Sequence, residues 1–282
     1  MSDEVLTKGR VAVVTGAAMG IGLAAARRFA GLGMRVALAD RDADRLTRAA
    51  DEVARVAADG GESVMRRVVD VAEPEDLTRL RMQVVDRWGD VGLLMNNAVT
   101  RTGGGIAAPR ADWRIAMAVN FWGVLNGVDA FLDTMIAQAA PSMIVNVGSK
   151  QGITNPPGNA AYNVTKAAVK TYTEALQHDL RRRDGCRVSA HLLVPGWTTT
   201  GEREHRPGAW MPDQVIDEMV PRLSAGDFYI VCPDDEVSRD MDRARIAWAA
   251  GDIIENRPPL SRWHGDYDAE FAAFEARFAE RG

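Results

Sequence analysis

The chain has 282 residues with a formal net charge of −5, and it has no long run of Lys or Arg. It therefore lacks the positive surface that binding to a phosphate backbone needs, which argues against nucleic acid as a partner. Its two cysteines, Cys186 and Cys232, are too few and too far apart for a zinc cluster or a disulfide framework, so we expect no metal site and a reducing, cytoplasmic location.

The first residues, Met1 to Glu4, are acidic and lack the hydrophobic core of a signal peptide. No later apolar run approaches the roughly 18 residues that cross a bilayer. We therefore expect a soluble protein with no membrane partner.

Seven short apolar runs alternate with longer amphipathic stretches, a pattern typical of buried parallel strands between helices. It predicts an α/β fold, a doubly wound seven-stranded parallel sheet with helices on both faces and right-handed crossovers. We expect residues 1–232 to form this domain and residues 233–282 to form a C-terminal extension of it. The runs are Arg10–Val14, Arg35–Ala39, Val64–Val69, Gly92–Met95, Ser142–Val147, Val188–Val194 and Phe228–Val231.

Three glycines follow the first predicted strand, in a turn that opens a helix near Ile21. Gly16, Gly20 and Gly22 permit a tight turn and a close backbone approach, and the free N–H groups at the helix start attract a pyrophosphate. A plain strand-to-helix connection has the same glycines. The position directly after the first strand favours a dinucleotide-binding loop.

Asp40 ends the second predicted strand, 18 residues after Gly22. A carboxylate at this place can accept hydrogen bonds from both hydroxyls of an adenosine ribose and repels a 2′-phosphate, so it predicts NAD as the cofactor. The stretch from Asp40 to Asp42 could also simply begin and cap the next helix, and both roles are compatible.

Tyr162 and Lys166 lie four residues apart on a helix predicted from about Asn159 to Arg183, so both side chains emerge on one face. A tyrosine hydroxyl, with an ordinary pKa of about 10, becomes a usable base when a nearby positive charge favours the phenolate. Such a pair can exchange a proton with a substrate oxygen, although the same spacing occurs on many ordinary helices.

Six short signatures thus fall in one order, and from about Lys8 to about Cys232 the chain resembles the short-chain dehydrogenase/reductase family. The resemblance implies a nicotinamide cofactor bound to a Rossmann sheet. It also implies transfer of a hydride between that cofactor and an alcohol or carbonyl carbon. The signatures are the glycine turn, Asp40, Asn96-Asn97-Ala98, Asn120, Ser149 and the pair Tyr162 and Lys166.

Four residues match the catalytic positions of that family. Tyr162 is implied as the acid/base, and Ser149, 13 residues before it, as the hydroxyl that orients the reacting oxygen. Asn120 is implied to bend its helix and to hold a water that links Lys166 to solvent. Lys150 has no usual catalytic role, and we expect it to be solvated or to line the entrance.

The resemblance also implies the cofactor contacts. Asp70 and Val71 follow the third strand, where the family holds adenine, and Asn97 and Ala98 follow the fourth, beside the adenosine ribose. Val99 replaces the usual glycine and implies a different loop path. The full implied set is Gly16, Met19, Gly20, Ile21, Gly22, Asp40, Arg41, Asp70, Val71, Asn97, Ala98, Tyr162, Lys166, Pro195, Gly196, Thr198 and Thr200.

These residues predict an NAD-dependent oxidoreductase that interconverts an alcohol and a ketone or aldehyde. NADP users in the family often carry a basic residue at the place of Met19 or of Arg41, so Arg41 keeps an NADP-preferring carbonyl reductase as an alternative. A second alternative is a dinucleotide-sensing protein without turnover, which the complete catalytic set disfavours.

Large apolar side chains after the sixth strand suit a hydrophobic or ring-containing substrate. A charged acid is less favoured, although Arg203, His205 and Arg206 could serve one, and the aromatic residues could instead form an ordinary lid core. The expected substrate contacts are Ser149, Gln151, Tyr162, Trp197, Trp210 and Met211.

The C-terminal extension carries two amphipathic stretches that need a surface to bury them. Met241, Ile246 and Trp248 mark the first, and Phe271, Phe274 and Phe278 recur at helical spacing in the second. The extension could cover its own substrate cleft or a neighbouring subunit. Apolar residues on the helices around Asn120–Gln138 and Tyr162–Arg183 further predict a symmetric homo-oligomer, with a tetramer as the expected state.

Overall fold

The computed structural model describes residues 4–200 and 204–279, and within them seven parallel strands form one sheet in the order β3-β2-β1-β4-β5-β6-β7. The predicted doubly wound, all-parallel sheet is confirmed. The strand order reverses between β1 and β4, which opens a crevice at the carboxyl ends of these strands. The strands are β1 (Val11–Thr15), β2 (Arg35–Asp40), β3 (Val64–Val68), β4 (Leu93–Asn96), β5 (Ser142–Val147), β6 (Val188–Val194) and β7 (Tyr229–Val231).

The inner strands are apolar along their whole length because helices cover both faces of the sheet. In β1 all five residues are buried, and Val13 pairs with Ala37 on one side and Leu94 on the other. The strand begins one residue later than predicted, and Arg10, just before it, donates its Nε–H to Asp90 Oδ2 at 2.7 Å.

Helices cover both faces of the sheet, and the described residues contain ten α-helices in all. Phe29 and Met219 pack on one face of the sheet, and Leu77, Phe131 and Leu180 pack on the other. The helices are α1 (Gly20–Gly31), α2 (Ala43–Val56), α3 (Pro74–Trp88), α4 (Arg110–Met117), α5 (Gly123–Ala137), α6 (Gln151–Thr154), α7 (Ala160–Arg182), α8 (Pro212–Ala225), α9 (Arg239–Ile254) and α10 (Asp268–Ala279).

A π-helical turn, Ala118–Trp122, joins α4 to α5 into one helical run, Arg110–Ala137. By length and apolar composition alone this run could cross a membrane. In this fold Val128 and Phe131 from the run are buried among the side chains of α3 and the sheet, an environment that also produces such a composition in core helices.

The C-terminal extension has a small core of its own around Trp248, which is 1% exposed. The rings of Phe271 and Phe274 meet the Trp248 ring edge-on at 5.3 and 5.2 Å, and the Arg257 guanidinium lies 3.9 Å from its centroid. Helix α9 also packs on α6, so the extension covers its own chain just after Ser149. The side chain of Phe278 lies outside the described residues.

Candidate active site

A cavity of about 280 Å³ lies at the carboxyl ends of the strands, where the sheet order reverses. Its wall combines the glycine turn, the end of β2, the end of β5 and the first turns of α7. Fourteen of the residues predicted for cofactor or catalysis line it: Gly16, Met19, Gly20, Ile21, Asp40, Arg41, Asn97, Ser149, Tyr162, Lys166, Pro195, Gly196, Thr198 and Thr200.

The glycine turn leaves no room for side chains. A Cβ on Gly22 would lie 2.2 Å from the Gly16 carbonyl oxygen, and one on Gly16 would lie 2.7 Å from Ala98 Cα. Gly16 and Gly20 adopt positive φ angles of 63° and 59°, which glycine tolerates without strain. Helix α1 begins at Gly20, just before the predicted start, and no side chain caps its N-terminus, so its first N–H groups could hold a pyrophosphate.

The Asp40 carboxylate is fixed by the backbone around it. Its Oδ2 accepts a hydrogen bond from the Ala18 N–H at 3.1 Å, and its Oδ1 accepts one from the Asp42 N–H at 3.1 Å. Asp42, rather than Asp40, caps α2, because its Oδ1 accepts from the Arg45 N–H at 3.0 Å. Asp40 therefore ties the glycine turn to β2 and presents its carboxylate on the cavity wall.

A second recess of about 70 Å³ opens beside Asp40 and is lined by Asp70, Val71 and Ala98, the residues predicted around adenine and its ribose. Asn97 does not reach this recess. Its Nδ2 donates hydrogen bonds to the carbonyls of Thr15 and Gly16 at 2.9 and 3.1 Å, so it secures the glycine turn from the neighbouring strand.

Tyr162 and Lys166 are both buried in the first turns of α7, with 6% and 2% exposure. Lys166 Nζ lies 5.7 Å from the Tyr162 ring centroid and donates a hydrogen bond to the Val147 carbonyl at 2.7 Å. Burial, with a further contribution from the charge of Arg101, lowers the pKa of Lys166 to about 7. This lysine can therefore gain or lose a proton near neutral pH.

Ser149 follows β5 and lines the cavity with Tyr162. Its Oγ accepts a hydrogen bond from the Gln151 N–H at 3.2 Å, which holds the hydroxyl oxygen at the start of α6. The hydroxyl proton stays available for a second partner. The arrangement leaves the cavity with two hydroxyl groups, from Ser149 and Tyr162, that could meet one substrate oxygen.

Asn120 lies inside the π turn, fully buried, so the predicted distortion of its helix is present. Its Oδ1 accepts from the Thr100 N–H at 2.7 Å, and its Nδ2 donates to Thr100 O at 3.0 Å and to Thr165 Oγ1 at 3.2 Å. The side chain thus clamps the loop after β4 to α7. The water that Asn120 is expected to hold stays a prediction.

A family model described as short chain dehydrogenase matches residues 10–207, which is more than half of the chain. The chain belongs to the short-chain dehydrogenase family. It is 37% identical to SadH of Mycobacterium tuberculosis over 174 residues, 61% of each chain, so the match spans about three fifths of that relative. It is 38% identical to a galactitol 2-dehydrogenase (L-tagatose-forming) of Cereibacter sphaeroides over 195 residues, 68% of this chain and 72% of the other.

Among solved structures, a short-chain dehydrogenase/reductase from Burkholderia phymatum in complex with NAD superposes with a TM-score of 0.81 at 29% identity. The match covers 89% of this chain and 96% of that chain. The structural match therefore extends past residue 207, where the match to the family model ends.

Four predicted substrate contacts of this short-chain dehydrogenase do not line the cavity among the described residues: Gln151, Trp197, Trp210 and Met211. Trp210 packs against the sheet core, with its Nε1–H donating to Asp235 Oδ1 at 3.0 Å. Met211 lies just before α8, beside a separate surface depression, and Gln151 Oε1 accepts from Asn159 Nδ2 at 3.2 Å. The lid core that the sequence left as an alternative describes Trp210 better.

Of the polar residues considered for an acidic substrate, His205 does not line the cavity. His205 Nδ1 shares a hydrogen bond with Thr199 Oγ1 at 3.0 Å, and Arg203 lies outside the described residues. Arg101, which sequence reasoning passed over, lines the cavity with its guanidinium carbon 5.7 Å from the Tyr162 ring centroid. Its place in the loop that leaves the carboxyl end of β4 is the signal that could have identified it.

The expectation for Lys150 was wrong. Its side chain is only 17% exposed, and its ammonium group lies between two buried carboxylates, 3.2 Å from Asp234 Oδ2 and 2.7 Å from Asp242 Oδ2. Neither partner could be read from the sequence, because they follow Lys150 by more than eighty residues.

Proposed function

We propose that this chain is an NAD-dependent oxidoreductase that interconverts an alcohol and a ketone or aldehyde. The observation that carries the proposal is the shared cavity wall, in which the glycine turn and Asp40 lie at one end and Ser149, Tyr162 and Lys166 lie at the other. A dinucleotide can reach from one end of this cavity to the other while its phosphates lie on the glycine turn.

When bound in this cavity, a nicotinamide ring would supply or accept the hydride at the carbon that carries the substrate oxygen. The Tyr162 hydroxyl gives a proton to that oxygen in reduction and takes it back in oxidation. The Ser149 hydroxyl donates a hydrogen bond to the same oxygen and fixes its direction. Lys166 has a pKa of about 7, so it supports Tyr162 by taking up or releasing a proton near neutral pH as the tyrosine does so.

NAD is the cofactor we propose, because the Asp40 carboxylate is held on the cavity wall where a ribose would bind and a 2′-phosphate would be repelled. The Burkholderia relative was crystallised with NAD. A second candidate is an NADP-preferring reductase, and one observation favours it: Arg41 and Arg45 both line the cavity beside Asp40.

For the substrate we propose a small hydrophobic or ring-containing alcohol or ketone. Val99 lines the cavity and is 48% exposed, and Trp197, 42% exposed, follows the turn at Gly196 that lines it. Arg101, over the Tyr162 ring, offers a hydrogen-bond donor to an oxygen substituent on such a molecule.

We further propose that the chain forms a homo-oligomer, with a tetramer as the expected state. Trp122 and Val164, on the two helices named from the sequence, are 49% and 47% exposed and give these helices an apolar outer surface. Such surfaces in soluble proteins commonly mark contacts between subunits.

A panel assay tests the proposed reaction. Purified protein is offered NAD with alcohols of increasing size, and NADH with the matching ketones and aldehydes, while the nicotinamide absorbance is followed. We expect turnover of at least one pair, with NAD(H) preferred over NADP(H). If NADH binds but no alcohol, ketone or aldehyde in a broad panel reacts, the proposed function fails and the dinucleotide-sensing alternative is favoured.

A further inference from the structure

The C-terminal extension reaches the candidate active site through a buried cluster of three charges. The cluster consists of Lys150, next to Ser149, of Asp234, after β7, and of Asp242, in the first turn of α9. The side chains of Asp234 and Asp242 are only 3% and 9% exposed. Buried charges are stable only when they are paired, so each member depends on the others.

Asp234 connects this cluster to the turn after β6. Its Oδ2, which faces Lys150, also accepts a hydrogen bond from the Trp197 N–H at 3.0 Å. Its Oδ1 accepts from the Glu236 and Val237 N–H groups at 3.2 and 2.9 Å, which fixes the carboxylate in its own loop. The Asp234 carboxylate therefore fixes the backbone at Trp197, and Lys150 neutralises the charge of that carboxylate.

The charged cluster lies so close to Gly196 that this position has no room for a side chain. A Cβ on Gly196 would lie 2.3 Å from Asp234 Oδ2 and 3.0 Å from Lys150 Nζ. The Lys150 N–H also donates to the Pro195 carbonyl at 3.4 Å. The turn Pro195–Thr198 thus rests directly on the charged cluster, while its other side lines the cavity that holds Tyr162 and Lys166.

Asp242 anchors the opposite side of Lys150 to the extension. It lies on α9, whose later residues form the Trp248 core with α10. Burial raises the pKa of Asp242, and the Lys150 ammonium opposes that rise. The charges of Asp234 and Arg245 also act on Asp242, and Asp242 in turn acts on Arg262.

We infer that Lys150 is a positioning residue that Asp242 holds against Asp234, so that the C-terminal extension sets the shape of the turn Pro195–Thr198. This turn lines the cavity with Tyr162, where the proposed reaction requires the nicotinamide ring, so its shape sets the affinity for that ring. The inference rests on the proposed function, since it requires a nicotinamide dinucleotide in the cavity. The adenine recess is formed by other residues, Asp70, Val71 and Ala98, and is independent of this cluster.

The test compares two ligands, so that binding of the nicotinamide ring can be distinguished from binding of the adenosine end. NADH and ADP-ribose share the adenosine, the pyrophosphate and the second ribose, but only NADH carries the nicotinamide ring. Dissociation constants of both are measured by calorimetry for the wild-type protein and for Asp242→Asn, which keeps the side-chain shape and the pair between Lys150 and Asp234. We expect NADH binding to weaken by roughly tenfold, which corresponds to about 1.4 kcal/mol, and ADP-ribose binding to stay within about twofold.

Asp252→Asn is the matched control. Asp252 also lies on α9 and is 9% exposed, but its carboxylate binds Arg257 and Ser261 rather than Lys150. This change should lower the melting temperature of the extension without altering the ratio of the two dissociation constants. Lys150→Arg should keep the wild-type ratio better than Lys150→Met does, and if Lys150→Met does not fold, Asp242→Asn carries the test.

Equal weakening of NADH and ADP-ribose in Asp242→Asn, or no change in either, would overturn the inference. The same shift of the ratio in Asp252→Asn would also overturn it, because the effect would then come from general loosening of the extension. If the wild-type protein binds neither ligand, the proposed function itself fails, an outcome that the wild-type measurement identifies before any variant is compared.

Discussion

Lys166 donates its buried ammonium hydrogen bond to the carbonyl of Val147 at 2.7 Å, across the gap between α7 and the end of β5. Burial lowers the pKa of this lysine from 10.5 to about 7. Between these values the unfolded chain binds the proton more tightly than the folded chain. The lysine therefore opposes folding most strongly below pH 7, and its cost falls as the pH rises from 7 to 10.5.

Replacing Lys166 with Met should stabilise the protein without cofactor. The folded chain holds the Lys166 proton less tightly than the unfolded chain, so we expect a gain in unfolding free energy at pH 7 that shrinks toward pH 10. The loss of the hydrogen bond to the Val147 carbonyl offsets part of this gain. Urea unfolding across that pH range measures it. Lys170→Met, on the same helix but partly exposed and paired with Glu174, serves as the control and should not reproduce the pH trend.

Removing the positive charge of Arg101 should raise the pKa of Lys166, because that charge is one of the two causes that lower it. Arg101→Gln keeps a polar side chain at the cavity wall. Carbon NMR of protein labelled at the lysine side chains would follow the titration of Lys166 in both forms. A midpoint that stays in place would show that burial alone sets the pKa.

Tyr162→Phe removes one hydroxyl and keeps the ring, so NADH binding should survive. Turnover should fall by roughly a hundredfold or more, the range for a lost general acid/base. Steady-state rates and NADH titration of the same preparations separate the two effects. Near-wild-type turnover would exclude Tyr162 as the proton donor.

Substitutions at Asp40 should separate two roles of its carboxylate. Asp40→Asn removes the charge and keeps an oxygen for the Ala18 N–H, so discrimination against NADP should relax while the glycine turn stays in place. Asp40→Ala also removes that acceptor and should weaken both cofactors. If neither variant alters the ratio of NAD to NADP efficiency, Arg41 or Arg45 decides the preference.

Light scattering at micromolar concentration should give a mass well above the 30.6 kDa of one chain. Trp122→Glu should lower that mass, because the introduced charge would have to be buried between subunits. Ile253→Glu introduces the same charge at another exposed apolar residue, 85% exposed on the extension, and should leave the mass unchanged. A stable wild-type monomer would refute the proposed assembly.

The strands could be predicted from the sequence because burial on both faces of the sheet leaves a continuous apolar run. Ser142–Val147 and Val188–Val194 agree with the structure at both ends. Gly16, Asp40 and the pair Tyr162 and Lys166 were equally accessible, because each lies within a few residues of a strand end or a helix start. Local spacing was enough to place them.

Contacts between distant parts of the chain were not accessible in this way. The sequence showed that the extension must bury Trp248 but not against what, and the structure supplies Phe271, Phe274 and Arg257 from the extension itself. Asp252 is also one of the buried residues of that small core. Trp210 was assigned to the substrate because its Asp235 partner lies in a loop without a pattern.

The π turn changes which side of the helix the residues after it face. Its Gly123 N–H bonds to Ala118 O, five residues back, so one residue more than an α-helix would use separates α4 from α5. That residue turns everything after it by about 100° around the axis. A chain one residue shorter here would still form a straight helix, but Asn120 could no longer face Thr100 while Val128 and Phe131 faced the sheet. The length of this segment therefore constrains the protein as firmly as the identity of its residues.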